Sequence, residues 1–259
     1  MFDIIGDIHG CCEEMIDLLK KLDYEPDHEK IAHPANRKPV FLGDLTDRGP
    51  ASVNVITKVA SWVKADRALY CPGNHCNKLY RYFLGRKVVV SHGLETTVAE
   101  LEQLDAKSYE HVSSMFRRLY EAAPLYLVLD HGNLVVAHAG IRPSDIGKSN
   151  KSVQTFVLYG DITGKKHSDG RPVRRDWSKK YSYECTVVYG HSPVKEPRQI
   201  GNTINIDTGC VFGNALTAYR WPEKQTVSVP SKQPYIEEKF HPVDPHDVSR
   251  LSGSPGTRN

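Results

Sequence analysis

Six short polar segments constrain this chain more than any other feature of its sequence. They are residues 6–10 (GDIHG), 43–49 (GDLTDRG), 73–75 (GNH), 138–140 (HAG), 190–191 (GH) and 207–209 (DTG). Most of them directly follow an apolar run that is typical of a buried strand. In open α/β sheets, polar groups that follow the strands collect beyond the carboxyl ends of the sheet. We therefore expect the carboxylate, amide and imidazole groups of these segments to meet in one pocket.

Length and composition indicate an ordinary globular domain. The chain has 259 residues, of which 39% are apolar and 25% are charged, so it is long enough for a sizeable core. The net charge of +3 comes from 34 basic and 31 acidic residues, a balance that does not by itself indicate nucleic-acid binding. The first residues lack a basic region and a long apolar stretch, so we expect neither a signal peptide nor a membrane anchor. The six cysteines form no CxxC pair, which favours reduced thiols and a cytoplasmic location.

Apolar periodicity predicts strands that alternate with helices in the first half of the chain. The expected strands are 2–5, 39–42 and 67–71, and the expected helices are 12–22, 51–63 and about 77–83. A helical stretch at 95–123 precedes short strands at 125–129, 134–137, 186–189, 203–206 and 216–219. This pattern is typical of an α/β fold with parallel strands first and mixed or antiparallel strands later. We expect one folded domain over 1–228 and a C-terminal tail over 229–259 whose end is flexible.

The polar segments together offer a donor set for two metal ions. Asp7 and His9 are separated by one residue, so both side chains can reach the same ion, and the two oxygens of Asp44 can bridge two cations. Further donors are the amide of Asn74 and the imidazoles of His138 and His191. Any one of these motifs is common by chance, whereas all six in this order are not. Because no thiolate is needed, the set disfavours a structural zinc site built from cysteines.

The motifs resemble those of the PPP (phosphoprotein phosphatase) superfamily of calcineurin-like metallophosphatases. That pattern is GDxHG, GDxxDRG, GNHE and two separated histidines, and the resemblance covers about residues 1–222. It implies an α/β fold in which two mixed β-sheets pack as a sandwich flanked by α-helices, with 1–228 as the catalytic domain. The runs at 71–80, 187–197 and 205–214 resemble a bacterial branch, the asymmetrical bis(5′-nucleosyl)-tetraphosphatases of the PrpE type. One departure is Cys76, which stands where the superfamily has glutamate after Gly-Asn-His.

The resemblance implies a metal-dependent hydrolase. The expected reaction is asymmetrical hydrolysis of diadenosine tetraphosphate (Ap4A) to ATP and AMP by a hydroxide that bridges two divalent ions. Nickel or manganese is expected, and iron or zinc also suits the donors. Asp7 and His9 would hold one ion, Asn74, His138 and His191 the other, and Asp44 would bridge them.

The remaining site residues are expected to act on the substrate. By resemblance, Arg48 would bind phosphate oxygens, and Asp47 would hold His75 in the form that donates a proton to the leaving oxygen. Asp207 lies in a glycine-flanked turn, where it would border the substrate or support a ligating histidine; an ordinary turn aspartate is the alternative. The basic segment 164–181 contains our candidates for polyphosphate binding, Arg174 and Arg175, although a solvated basic loop is the common outcome for such a run.

Three other functions fit the same motifs. One is a PPP-type protein phosphatase, which the loss of the usual glutamate at Cys76 weakens. Another is an RNA-end phosphatase or 2′,3′-cyclic phosphodiesterase, because the motifs also resemble the phosphatase module of bacterial polynucleotide kinase–phosphatases. Only this alternative brings in a nucleic-acid partner; no GxxxxGK[ST] motif occurs in the chain. A non-enzymatic binding module would be expected to lose a ligand, and none is lost. Finally, the position of Cys76 near a helix start predicts a lowered thiol pKa and some sensitivity to oxidation.

Overall fold

The structure, a computed structural model, describes residues 1–27, 30–167, 170 and 172–240. The helices are α1 (Cys12–Lys21), α2 (Ser52–Lys64), α3 (Asn74–Phe83), α4 (Leu94–Glu102), α5 (Ala106–Ala122) and α6 (Lys151–Tyr159). The strands are β1 (Phe2–Ile5), β2 (Glu25–Pro26), β3 (Ile31–Ala32), β4 (Lys38–Phe41), β5 (Leu69–Tyr70), β6 (Leu127–Leu129), β7 (Leu134–Val136), β8 (Asp161–Lys166), β9 (Pro172–Arg175), β10 (Thr186–Tyr189), β11 (Arg198–Ile200), β12 (Thr203–Asn205), β13 (Ala215–Trp221) and β14 (Gln225–Pro230). Every helix in this part of the chain is too short or too polar to span a lipid bilayer.

Two five-stranded sheets form the framework. The first has the order β14-β13-β1-β4-β5, in which β1, β4 and β5 run parallel and β13 pairs antiparallel with β1. The second has the order β11-β12-β10-β7-β6, with β7, β10 and β12 parallel and both edge strands antiparallel. Each sheet therefore contains three parallel strands whose carboxyl ends lie along one edge, which is where ligands bind in open α/β sheets.

Alternating side chains on the strands bury both faces of each sheet. Ile4 and Val40 of the first sheet pack against Val136 and Val188 of the second, so the two sheets lie face to face. The next residue on β1, Ile5, points to the opposite face and belongs to a core that also contains residues of helices α1 to α5. On the outer face of the second sheet, α6 closes a smaller core. The predicted α/β sandwich of two mixed sheets flanked by helices is confirmed.

Helix α3 begins three residues earlier than the sequence predicts. The carboxylate of Asp44 accepts a hydrogen bond from the backbone N–H of His75, with Oδ1 and N separated by 2.9 Å. A carboxylate at a helix N-terminus satisfies an unpaired donor and favours the helix dipole. Because this cap comes from a residue remote in sequence, local periodicity does not reveal it. The earlier start places Asn74 and His75 in the first turn of α3.

The second half of the chain contains elements that the sequence reading missed. Helix α6 and the hairpin β8–β9 lie between the predicted strands, and the hairpin carries most of the basic segment 164–181. Strand β14 spans the predicted domain boundary at residue 229, and residues 231–240 continue along the domain surface. The predicted flexible end of the tail falls on residues 241–259, which lie outside the described residues.

Candidate metal centre

The polar segments that follow the parallel strands of both sheets meet at one end of the sandwich. Asp7 and Asp44 come shortly after β1 and β4 of the first sheet, and His138 and His191 come shortly after β7 and β10 of the second. All four side chains are buried or half-buried. The two sheets thus contribute donors to the same pocket, although these residues are up to 184 positions apart in the chain.

Asp44 lies at the centre of this pocket. Its Oδ2 atom is 3.7 Å from His9 Nε2 and 3.4 Å from His138 Nε2. Two groups of donor atoms, each within 4.8 Å of one another, share this carboxylate; they are His9–Asp44–His75 and Asp44–His138–His191. A single carboxylate common to two clusters of imidazoles is the arrangement that a pair of cations requires.

The second cluster gathers around His138. Its Nδ1 lies 3.1 Å from the carbonyl oxygen of Leu42 and donates to it. That hydrogen bond leaves Nε2 directed at Asn74 Oδ1, 3.0 Å away, and at His191 Nδ1, 3.1 Å away. A backbone carbonyl that fixes one ring nitrogen is how proteins orient a histidine whose other nitrogen ligates a metal.

His9 in the first cluster is oriented in the same way. Its Nδ1 donates to the carbonyl oxygen of Thr46 over 2.8 Å, which leaves Nε2 facing Asp44. The guanidinium of Arg48 now occupies the space in front of that nitrogen, with Nη1 2.6 Å from Nε2. A cation that binds His9 Nε2 must therefore displace Arg48 from this contact.

The surroundings of Asp7 fit a bound cation. Asp7 Oδ2 accepts from the backbone N–H of His191 over 3.1 Å, but its buried Oδ1 has no hydrogen-bond partner. A Cβ atom on Gly190 would lie 2.2 Å from that oxygen, and one on Gly73 would lie 2.1 Å from Asp44 Oδ1. Glycine at these two positions allows the backbone to close around both carboxylates. A buried oxygen without a hydrogen-bond partner is destabilising unless a bound ion or ligand interacts with it.

The ionisation of the pocket also suits metal binding. Burial and the nearby charge of Arg48 lower the pKa of His9, and burial and Arg174 lower that of His191, so both imidazoles are neutral near pH 7. Burial opposes the charge of Asp44, but the neighbouring histidines outweigh it and its pKa falls well below the usual range. Burial raises the pKa of Asp7, as do the nearby carboxylates of Asp207 and Asp44. Neutral imidazoles are ready to ligate a divalent cation, and the cation would reduce the repulsion between the neighbouring carboxylates.

Metal affinity is predicted to rise with pH because His138 must lose a proton first. Burial works against the charge of His138, yet Asp44 and Asp7 raise its pKa to about 9. Below that value, Nε2 carries a proton that a cation has to expel, so the apparent association constant should rise by about tenfold per pH unit for each proton released. Titration of the apoprotein with Mn²⁺ by calorimetry at pH 6.5, 7.5 and 8.5 measures this slope. An affinity that stays flat over this range would contradict the assignment of His138 as a ligand.

His75 and Asp47 form a buried pair beside the first cluster. His75 Nδ1 lies 2.7 Å from Asp47 Oδ2, and the His75 ring stands edge-on to His9 with 4.9 Å between centroids. The other carboxylate oxygen of Asp47 accepts from the hydroxyl of Thr97 over 2.8 Å. Asp47 is fully buried. It therefore holds the imidazole of His75 in one orientation, with Nε2 turned away from the carboxylate.

The backbone around the pocket is held in a sparsely populated conformation. Positive φ angles occur at His9 (47°), Asp44 (34°), Asp47 (76°), Arg48 (71°) and His191 (71°). Non-glycine residues rarely adopt this region, and such residues cluster at functional sites where the surrounding structure enforces them. The hydrogen bonds to Thr46, Asp7 and Gly93 supply that constraint here.

Gly93 is expected to be essential for the placement of Arg48. The backbone N–H of Arg48 donates to the Gly93 carbonyl over 2.8 Å, and a Cβ atom on Gly93 would lie 2.3 Å from Arg48 Cγ. Gly93→Ala should therefore push the guanidinium away and lower kcat/KM for p-nitrophenyl phosphate by about tenfold, the loss of one charged hydrogen bond. Gly132→Ala is the matched control: Gly132 also has a positive φ, 92° against 99°, but nothing lies within 4 Å of its Cβ position. Equal activities of the two variants would contradict this role.

Of the two arginines expected to bind substrate, Arg174 lies nearer the metal pocket. Both line an open cleft that reaches His191. Arg174 Nε donates to the Tyr159 carbonyl over 2.7 Å, and its charge contributes to the lowered pKa of His191. Arg175 is exposed and pairs with Asp161 over 3.2 Å. The sequence alone does not distinguish these two residues.

Asp207 lies next to Asp7 but makes no hydrogen bond to a histidine among the described residues. Its Oδ1 accepts from the backbone N–H of Gly209 over 3.1 Å, which is the geometry of a turn aspartate. Burial raises its pKa to about 6. Asp207 therefore adds a second carboxylate to the surroundings of Asp7.

The prediction of a reactive thiol at Cys76 is wrong. Cys76 is fully buried in the core under α3. Burial raises its pKa to about 12, and the nearby Asp44 carboxylate adds to the shift. A helix N-terminus can lower a thiol pKa, but burial in apolar surroundings raises it, and burial dominates at Cys76.

Family membership follows from the sequence as a whole. The pattern of the calcineurin-like phosphoesterase family matches residues 1–215, a range that contains every candidate metal ligand. The chain belongs to the calcineurin-like phosphoesterase family. Divalent metal ions are implied by membership of this metallophosphatase family, in agreement with the two donor clusters around Asp44.

Relatives and solved structures agree with this assignment. The chain is 61% identical to a protein of Anoxybacillus flavithermus named bis(5′-nucleosyl)-tetraphosphatase PrpE [asymmetrical], over 94% of this chain and 100% of that protein. It is 57% identical to the Bacillus subtilis protein of the same name, over 93% and 99%. A crystal structure of a candidate diadenosine tetraphosphatase matches with a TM-score of 0.61 at 24% identity, over 89% of this chain and 93% of that one. A yeast serine/threonine phosphatase has the same fold, with a TM-score of 0.59 at 14% identity.

Proposed function

We propose that this calcineurin-like phosphoesterase hydrolyses Ap4A asymmetrically to ATP and AMP. The observation that carries the proposal is the buried carboxylate of Asp44, which lies between two clusters of histidines contributed by different sheets. The substrate comes from the relatives, which are named for this reaction and match 57% to 61% of the residues over almost their whole length. Such a site binds phosphate through cations and needs no protein nucleophile.

The assignment of ligands to the two ions follows the family resemblance. Asp7 and His9 would hold one ion and Asn74, His138 and His191 the other, with Asp44 shared between them. Two divalent cations bound in this way supply a water of lowered pKa and neutralise charge on the phosphate. The unsatisfied Oδ1 of Asp7 and the neutral imidazoles of His9 and His191 support this set.

Three protein side chains would act directly on the phosphate or its leaving group. Arg48, once displaced from His9 Nε2, can donate two parallel hydrogen bonds to phosphate oxygens. His75 would donate a proton from Nε2 to the leaving oxygen; for this step both of its ring nitrogens must carry a proton, and the Asp47 carboxylate, 2.7 Å from Nδ1, would stabilise that charge. Arg174, in the cleft beside His191, would bind the outer phosphates of the polyphosphate chain.

The donor set and the cysteines suggest the metals and the compartment. Imidazole, carboxylate and amide donors without thiolates suit nickel or manganese, which the family resemblance favours, and they also accept iron or zinc.

All six cysteines are buried and unpaired, as expected for a reducing compartment, and we propose that the enzyme acts in the cytoplasm.

A product-resolved assay tests the proposal. The purified chain is freed of metal, loaded in turn with Mn²⁺, Ni²⁺, Fe²⁺ or Zn²⁺, and offered Ap4A, a phosphopeptide and a 2′,3′-cyclic nucleotide. We expect ATP and AMP in equal amounts from Ap4A, with a higher kcat/KM than for the other two substrates. Two molecules of ADP would mean symmetrical cleavage. A preference for the phosphopeptide or the cyclic nucleotide would replace the proposal with the protein-phosphatase or RNA-end function.

A further inference from the structure

Residues 231–240 pack against the loop around residues 209–212, next to the metal pocket, and specific contacts hold them there. The backbone N–H of Lys232 donates to the buried carboxylate of Glu14 over 2.9 Å, and the N–H of Ile236 donates to the Phe212 carbonyl over 3.0 Å. The Phe240 ring packs so closely on Gly209 that a Cβ atom there would lie 2.6 Å from the ring. This segment is therefore part of the folded domain.

Phe212 lies between this segment and the metal pocket. The guanidinium carbon of Arg48 is 5.4 Å from the centre of the Phe212 ring, and the ammonium nitrogen of Lys239 is 5.6 Å from the same centre. Both distances are within the range of a cation–π contact. Arg48 reaches His9 at the same time, so the row Arg48–Phe212–Lys239 extends from the metal pocket to the protein surface.

The positive charge of Lys239 is not neutralised by a carboxylate from the described part of residues 231–240. Lys239 is exposed, and no carboxylate pairs with its ammonium group among the residues that the structure describes. The nearby Glu237 pairs with Lys195 over 2.6 Å. Two cations against one half-exposed aromatic ring can attract an anion with an apolar part, and a nucleotide has both a phosphate chain and a base with a π-face.

We propose that Arg48, Phe212 and Lys239 form a binding subsite for a nucleoside polyphosphate, with Lys239 contacting phosphate outside the metal pocket and Phe212 packing against the nucleotide. The inference deepens the function proposed above and rests on it. It assigns to the C-terminal segment a direct part in the choice of substrate. Because Lys239 contacts the Phe212 ring and none of the candidate metal ligands, we expect the subsite to favour long substrates over a small phosphomonoester.

Kinetics on two substrates test the subsite. Lys239→Ala should lower kcat/KM for Ap4A by about tenfold, chiefly through KM, and lower that for p-nitrophenyl phosphate by less than about twofold. Phe212→Leu, which keeps an apolar side chain but removes the ring, should show the same pattern. The matched control is Lys224→Ala, because the Lys224 ammonium also lies over an aromatic ring, 5.4 Å from the centre of Trp221, but far from the metal pocket. Equal losses on both substrates, or no loss, would overturn the inference.

Inhibition by inorganic anions separates this inference from the proposed function. Tripolyphosphate and orthophosphate are compared as inhibitors of p-nitrophenyl phosphate hydrolysis by the Mn²⁺-loaded wild-type and Lys239→Ala proteins. We expect the variant to bind tripolyphosphate about tenfold more weakly and orthophosphate as the wild type does. An unchanged tripolyphosphate constant overturns the role of Lys239 even if the wild type cleaves Ap4A. A wild type that leaves Ap4A intact overturns the proposed function, whichever constant is measured for tripolyphosphate.

Discussion

Replacing Asp44 with asparagine should lower kcat for p-nitrophenyl phosphate by about 1,000-fold or more. The change removes the one charge shared by the two donor clusters, at 3.7 Å from His9 Nε2 and 3.4 Å from His138 Nε2. Asparagine keeps an oxygen that can accept from the backbone N–H of His75, so the start of α3 should persist. Steady-state kinetics and metal analysis by mass spectrometry measure the effect, and we expect the metal content to fall below two ions per chain.

The control for this variant is Asp66→Asn. Asp66 is an exposed aspartate that pairs with Lys38 over 2.8 Å, outside the pocket. Its loss should leave both metal content and kcat unchanged, since exposed ion pairs contribute little. An Asp44→Asn protein that retains two ions and more than a tenth of the wild-type activity would exclude Asp44 as the shared ligand.

The fall in kcat caused by replacing His75 should depend on the leaving group of the substrate. His75→Asn removes the imidazole that Asp47 orients at 2.7 Å. We expect about a 100-fold fall in kcat for an alkyl phosphomonoester such as glycerol phosphate, whose alkoxide needs a proton, but less than about a tenfold fall for Ap4A. A nucleotide phosphate leaves as a stabilised anion and needs little help from an acid. Parallel kinetics on the two substrates at pH 7 provide the measurement.

His111→Asn provides the comparison for that experiment, because His111 is an exposed histidine on α5, away from the pocket. Its kinetics on both substrates should match those of the wild type. If His75→Asn loses the same fraction of activity on glycerol phosphate and on Ap4A, proton donation to the leaving oxygen is not the role of His75.

The framework and the gathering of the six segments were predictable because both depend on local patterns. Apolar runs such as 2–5 and 186–189 end in glycine and a polar residue, and parallel strands bring such ends to one edge. The sequence also indicated the pairing of Asp47 with His75, through the family motifs. The strand ends require only the residue order and the known geometry of α/β sheets, whereas the Asp47–His75 pair was implied by the family resemblance.

The rest depends on contacts between residues remote in sequence. The early start of α3 needs the Asp44 carboxylate, and the high pKa of Cys76 needs the core that covers it. Thr97, which donates to Asp47, lies on α4 with no motif around it. Residues 231–240 have a polar composition that indicated a tail. They are nevertheless held to the domain, because Glu14 accepts hydrogen bonds from Lys232 and Gln233, and no local pattern reveals these contacts.

The position of β1 has a consequence for synthesis on the ribosome. This strand lies in the middle of its sheet, with β4 on one side and β13 on the other. β4 emerges soon after β1, but translation reaches β13 (Ala215–Trp221) only about ten or more seconds later, at about 5–20 residues per second. During that interval the nascent chain exposes an unpaired apolar edge, which is a site for aggregation or for a chaperone. Chains that terminate after His191 but before Ala215 should therefore accumulate as insoluble protein, even though they contain every candidate metal ligand.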